Sequence, residues 1–133
     1  MAKILVIDAD RDLTRALSVR LQAAGFEVTV AHSGPDGSRL AVRIRPDLIL
    51  LDVDMPHYSG LELHECLRFA DRVRDVPVVY LSSNDSMTTR AAALRNGARA
   101  FLAKPYEPHR LLQTLRDVLA GMARRDLRSP VAP

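Results

Sequence analysis

Short, largely apolar runs alternate along this chain with longer stretches whose apolar positions recur every three or four residues. The runs lie at residues 3–7, 27–31, 47–51, 76–81 and 100–103. Three of them contain Ile-Leu-Val-Ile (4–7), Leu-Ile-Leu-Leu (48–51) and Val-Val-Tyr-Leu (78–81), with no polar interruption. A strand with one wet face alternates apolar and polar residues. These segments therefore predict strands buried on both faces, as in a parallel sheet covered by helices.

The intervening stretches predict helices. In the first, Leu13, Leu17, Leu21 and Ala24 recur at spacings of four and three, and Gly25 follows as a stop. The second spans 34–45, with Ser33 as N-cap and Pro46 closing it. The third spans 60–70, with Leu63, Cys66, Leu67 and Ala70 assigned to its inner face. The fourth starts near Asp85 and stops at Gly97. The fifth carries Leu111, Leu112, Leu115, Val118, Leu119 and Met122 as one stripe. Strand then helix, repeated five times, predicts a doubly wound α/β sheet. Residues 123–133, with Arg124, Arg125, Arg128, Pro130 and Pro133, are expected to form a tail or the start of a linker.

Composition supports one globular domain: 133 residues, 47% hydrophobic and 26% charged. No aliphatic run approaches the roughly 20 residues that span a bilayer. Asp8 and Asp10 interrupt the only apolar stretch near the N-terminus, so it does not read as a signal peptide. The single cysteine, Cys66, allows neither an internal disulfide nor a multi-cysteine zinc site. These features point to a cytoplasmic protein with no membrane partner. A net charge of +3, evenly spread, does not call for direct nucleic-acid binding. Seventeen of the nineteen cations are Arg, so Lys3 and Lys104 stand out.

In an open parallel sheet, ligands bind beyond the carboxyl ends of the strands. Here those ends read Asp8-Ala9-Asp10, Asp52-Val53-Asp54-Met55-Pro56, Ser82-Ser83-Asn84-Asp85 and Lys104-Pro105. Four carboxylates converging on one crevice repel each other unless a cation joins them. Oxygen ligands suit Mg²⁺, which takes a few carboxylates, water and a phosphate. Ser82 and Lys104 are suited to phosphoryl oxygens. The set suits phosphoryl transfer onto a carboxylate.

With these pieces in place, residues 1–122 resemble the receiver domain of bacterial response regulators, the CheY-like, flavodoxin-like fold. The resemblance rests on Ile-Leu-Val-Ile-Asp at 4–8, on Asp-Leu-Ile-Leu-Leu-Asp-Val-Asp-Met-Pro at 47–56 with Gly60, on Leu-Ser-Ser at 81–83, and on Phe-Leu-Ala-Lys-Pro at 101–105. It implies a five-stranded sheet of order 2-1-3-4-5 with five helices. It implies phosphorylation of Asp52 by a phosphohistidine on a sensor histidine kinase or phosphotransfer protein, and no enzymatic activity beyond self-phosphorylation and autodephosphorylation. By the same resemblance, Asp8, Asp52 and the backbone carbonyl of Asp54 hold Mg²⁺, Ser82 hydrogen-bonds the phosphoryl group and Lys104 pairs with it. Asp54 and Asn84 flank the hydrolytic water and tune its attack. Phe101 takes the switch position, its ring moving inward as Ser82 is drawn to the phosphate. That motion changes the face of helix 4, strand 5 and helix 5 for a downstream protein target or a second copy in a homodimer. An inward core aromatic explains Phe101 equally well.

One position departs from the family pattern. The second of two adjacent acids after the first strand is here Ala9, which puts Mg²⁺ binding in question. Asp10, also the expected cap of helix 1, or the Asp54 side chain is the replacement to consider. Ala9 also supports a phosphorylation-independent pseudo-receiver as an alternative. A second alternative is a small aspartyl-phosphate phosphatase of haloacid-dehalogenase type, built on Asp52-x-Asp54 with a later Ser and Lys. It is weakened by Pro56 where Thr is expected and by the lack of a late acidic pair. Cys66 reads as core, His32, His57, His64 and His109 as surface, and Arg90, Arg95 and Arg99 as a solvated helix face.

Overall fold

The computed structural model of the chain describes residues 1–56 and 59–121. Strands β1 (Lys3–Ile7), β2 (Glu27–Ala31), β3 (Leu48–Asp52), β4 (Val78–Ser82) and β5 (Ala100–Ala103) alternate with helices α1 (Arg11–Ala23), α2 (Gly34–Ile44), α3 (Gly60–Arg68), α4 (Met87–Arg95) and α5 (Pro108–Leu119). Every neighbouring pair is parallel and the order is β2-β1-β3-β4-β5, the doubly wound, flavodoxin-like α/β arrangement. The expected tail at 123–133, together with Met122 and His57, lies outside the described residues.

Side-chain alternation along the strands divides the core between two faces. Ile4, Val6, Leu48, Leu50, Val79, Leu81, Ala100 and Leu102 pack with Leu17 and Leu21 of α1 and Leu111, Leu115 and Val118 of α5. Leu5, Ile7, Ile49, Leu51, Val78, Tyr80 and Phe101 pack with Ala41 of α2, Leu63 and Leu67 of α3 and Ala93 of α4. Both faces are covered, which is why the strands read as unbroken apolar runs. Each fully buried Leu or Ile contributes roughly 2 kcal/mol by transfer from water.

Two strands extend further than their apolar runs. Asp52 pairs with Leu81 and Ser82 with Ala103, so both polar residues close their strands rather than follow them. At the other end, Asp47 lies outside β3, and its carboxylate accepts from the Lys3 amide at 2.7 Å. Caps set the helix starts. Asp10 accepts from the Leu13 amide ahead of α1, and Ser33 and Ser86 do the same for Asp36 and Thr89. Ser86 moves the start of α4 to Met87, leaving Asp85 free to pair with Arg90.

Two side chains on α3 trade places relative to expectation. Cys66 is exposed and His64 is buried. Gly60, Leu63, His64 and Leu67 follow the spacing i, i+3, i+4, i+7, which marks the buried face of a helix; Cys66 lies off it.

Candidate functional site

Because the strands are parallel, β1, β3, β4 and β5 deliver their polar ends to one edge of the sheet. Asp8 follows β1 directly and is 1% exposed; Asp52 ends β3 at 6%. Lys104 follows β5, tied to β4 by its amide, which donates to the Ser82 carbonyl at 2.8 Å. Its ammonium Nζ donates to Asp8 Oδ2 at 2.9 Å and stands 3.6 Å from Asp52 Oδ2. One ammonium thus faces two buried carboxylates from strands far apart in sequence.

The two carboxylates are held by the same local turn. Asp8 Oδ1 accepts the Asp10 amide and Asp52 Oδ1 accepts the Asp54 amide, each at 2.9 Å. In each Asp-x-Asp segment the first side chain grips the backbone two residues ahead and leaves Oδ2 toward Lys104. Gly60, at the start of α3, allows close approach: a Cβ there would stand 2.6 Å from Val53 Cα and 2.8 Å from the Asp52 carbonyl oxygen.

Burial and mutual repulsion shape the charges. Burial pushes the Asp52 carboxyl up, and the Asp8 and Asp54 charges push the same way; the Asp54 amide and Lys104 oppose them without reversing the result. Burial alone would lower the Lys104 ammonium, but its hydrogen bond to Asp8 and the fields of Asp52 and Asp8 outweigh that, so it is raised. The cluster holds an ammonium firmly and leaves Asp52 Oδ2 as an oxygen with no direct hydrogen-bond partner among the described residues.

The other predicted site residues are distributed around this centre. Asp10 turns its carboxylate to the Leu13 amide at 3.0 Å. Asp54 turns to β4: its Oδ2 accepts from Ser82 Oγ at 3.0 Å, the Ser83 amide at 2.9 Å and Ser83 Oγ at 3.2 Å. Ser82 is buried, and its Oγ also accepts the Asn84 amide at 3.0 Å. The Asn84 side chain accepts from the Ser86 amide at 3.1 Å, in the turn before α4. Phe101 is 3% exposed, with the Arg90 guanidinium 4.8 Å above its ring and Arg90 Nε 2.6 Å from Asp85 Oδ1.

The four acids therefore do not converge. Among the described residues, no group of three or more His, Cys, Asp and Glu side chains is placed to hold a metal ion. Asp8 and Asp52 are the two carboxylates left at the centre, and Mg²⁺ can be bound through one or two carboxylates with water. Ala9 supplies no side-chain oxygen, and the Asp10 and Asp54 carboxylates are engaged elsewhere.

The sequence pattern does not announce the cover over Phe101, the grip of Asp54 on Ser82 and Ser83, or a polar cluster of His64, Tyr80 and Asn96. In that cluster Tyr80 Oη lies 2.7 Å from His64 Nδ1 and accepts from Asn96 Nδ2 at 2.6 Å. The helical spacing of His64 could have placed it inside. Nothing in the spacing of Asp54 or Arg90 announces their partners, which come from other strands and loops.

A family model described as the response regulator receiver domain matches residues 4–116. The protein PilH of Pseudomonas aeruginosa is 34% identical over 121 residues, covering 91% of this chain and all of the relative. The DNA-binding dual master transcriptional regulator RpaA of a Synechocystis species is 34% identical over 119 residues, 90% of this chain and 49% of that protein. The chain thus spans about half the length of such transcriptional relatives. Among solved structures, the chemotaxis protein CheY4 of Vibrio cholerae superposes with a TM-score of 0.84 at 33% identity, covering 89% of this chain and 98% of the other.

Proposed function

The chain belongs to the response regulator receiver domain family, and from that premise we propose that Asp52 accepts a phosphoryl group from a phosphohistidine of a sensor kinase or phosphotransfer protein. The observation that carries this reading is the meeting of Asp8, Asp52 and Lys104 in one buried cluster at the strand ends. Asp52 Oδ1 is fixed by the Asp54 amide, so Oδ2 is the oxygen free to attack phosphorus. An O–P bond forms there as the donor's N–P bond breaks, its electron pair remaining on the imidazole nitrogen. Lys104, already 3.6 Å from Oδ2, supplies a compact positive charge to the arriving phosphoryl oxygens.

Asp8, Asp52 and the Asp54 carbonyl are the groups that would hold Mg²⁺, which neutralises charge on the phosphoryl oxygens when bound. Ser82, buried at the end of the neighbouring strand, is the hydroxyl donor on the other side. The face offered to a downstream protein target is that of α4, β5 and α5, where Phe101 lies. The family assignment leaves the haloacid-dehalogenase reading without support.

The test is incubation with acetyl phosphate and Mg²⁺ followed by intact-mass measurement. The expected result is a single phosphoryl adduct that disappears in Asp52→Asn. An unmodified mass in the unsubstituted protein would overturn the reading.

A further inference from the structure

Ser82, the hydroxyl proposed above to meet a phosphoryl group on Asp52, already has a partner. Ser82 Oγ donates to Asp54, 3.0 Å from Oδ2 and 3.2 Å from Oδ1. The Ser83 amide and hydroxyl both donate to Oδ2, at 2.9 and 3.2 Å. Three donors from two consecutive residues thus converge on one carboxylate, which offers them the charged oxygens a phosphoryl group would offer. Ser82 is 0% exposed, so its hydroxyl has little freedom to serve a second anion at the same time. The Asn84 amide, which donates to Ser82 Oγ at 3.0 Å, fixes that oxygen further.

Phe101, the residue given the switch role above, lies inward. Phe101 is buried on β5, in the same core cluster as Tyr80, Ala93 and Ala98, with Arg90 above its ring. We propose that the Asp54 carboxylate is an internal stand-in for the phosphoryl group. It acts as a positioning residue that holds Ser82 and Ser83 and, through Ser82, keeps Phe101 inward before any phosphorylation. The comparison with phosphate rests on Asp52 as phosphoacceptor, whereas the grip on Ser82 needs no phosphate. Phosphorylation then displaces Asp54 from donors it already holds, and the α4–β5–α5 face changes little when it occurs.

The chain has three phenylalanines, Phe26, Phe69 and Phe101, so labelling with 4-fluorophenylalanine gives three ¹⁹F signals. Phe69, 82% exposed, serves as the solvent-exposed reference. Spectra are compared for the unsubstituted protein, Asp54→Ala, Asp54→Asn and Ser82→Ala, first without any phosphoryl donor and then with beryllofluoride and Mg²⁺. The unsubstituted protein is expected to show Phe101 as one buried signal that beryllofluoride barely moves. Asp54→Ala and Ser82→Ala are expected to shift that signal toward the Phe69 position, and Asp54→Asn, which keeps the shape and one acceptor oxygen, to shift it part of the way. Beryllofluoride is expected to return Asp54→Ala to the unsubstituted position. A Phe101 signal in Asp54→Ala that coincides with the unsubstituted one overturns the proposal, as does a large beryllofluoride shift in the unsubstituted protein. A shift in Asp54→Ala that beryllofluoride fails to reverse supports the grip while overturning Asp52 as phosphoacceptor.

Discussion

Tyr80 Oη and His64 Nδ1 share a hydrogen bond of 2.7 Å between β4 and α3, with the two rings edge to face at 5.5 Å. Asn96 Nδ2 donates to the same hydroxyl at 2.6 Å. Burial, helped by the Arg68 charge, pushes His64 down to about 4, and burial pushes Tyr80 up to about 12.

This sets the first expected outcome. A histidine with a depressed folded value contributes stability that is present above its unfolded value near 6.5 and is lost as pH falls toward 4. The full loss is about 3 kcal/mol. His64→Leu removes that slope but leaves the Tyr80 hydroxyl without its His64 partner, costing about 1–3 kcal/mol at neutral pH. Urea midpoints for both proteins from pH 7 to pH 4 are expected to converge as pH falls. Parallel curves would show that His64 protonates freely in the fold.

Asp52 gives the opposite slope. Its folded carboxyl is raised, by burial first and by the Asp8 and Asp54 charges after it. Its contribution to stability is therefore complete below the ordinary carboxylate value and is lost as pH rises through the raised one. Asn carries no such loss. Asp52→Asn is expected to match the unsubstituted protein near pH 4 and to exceed it in thermal midpoint at pH 7. A lower midpoint for Asp52→Asn at pH 7 would mean that Lys104 stabilises the ionised form by more than burial costs.

The Arg90 guanidinium 4.8 Å above the Phe101 ring is worth about 1 kcal/mol as a cation–π contact. Its pair with Asp85, which is half exposed, adds little. Arg90→Ala is expected to lower stability by about 1 kcal/mol and to raise amide exchange along β5. Arg90→Met, which keeps an apolar cover but loses the charge, is expected to recover part of both effects. Unchanged β5 exchange in Arg90→Ala would show that the ring needs no cover.

The parts of the molecule that were legible in the sequence are those governed by local period and by strand ends. Ile4 to Ile7 and Leu48 to Leu51 announce doubly covered strands because every position must leave water, and Asp10 announces a cap because it precedes the first Leu of α1. His64 was also legible, being in step with Leu63 and Leu67, but its polarity suggested surface. The sequence could not show the partners of Asp54, because its carboxylate meets donors 28 and 29 residues away across the end of β4. A helix arginine is usually solvated, and nothing in the sequence sets Arg90 apart. Only the packing of α4 against β5 sets it over Phe101.

The acid absent at position 9 gives the last prediction. Ala9 is exposed where the chain leaves β1, so a longer side chain there meets no packing obstacle. Asp8 and Asp52 already share Lys104, and Asp10 holds the Leu13 amide, so a further carboxylate at position 9 adds a charged oxygen that no other residue supplies. Ala9→Asp is expected to tighten Mg²⁺ by about tenfold or more, equivalent to about 1.4 kcal/mol. With no tryptophan in the chain to report binding by fluorescence, calorimetry is the measurement. Like charges brought closer to Asp8 are also expected to lower stability in the absence of Mg²⁺ and to restore it when the ion is added. Equal Mg²⁺ affinity in Ala9→Asp and the unsubstituted protein would show that Asp10 or Asp54 leaves its present partner to serve the ion.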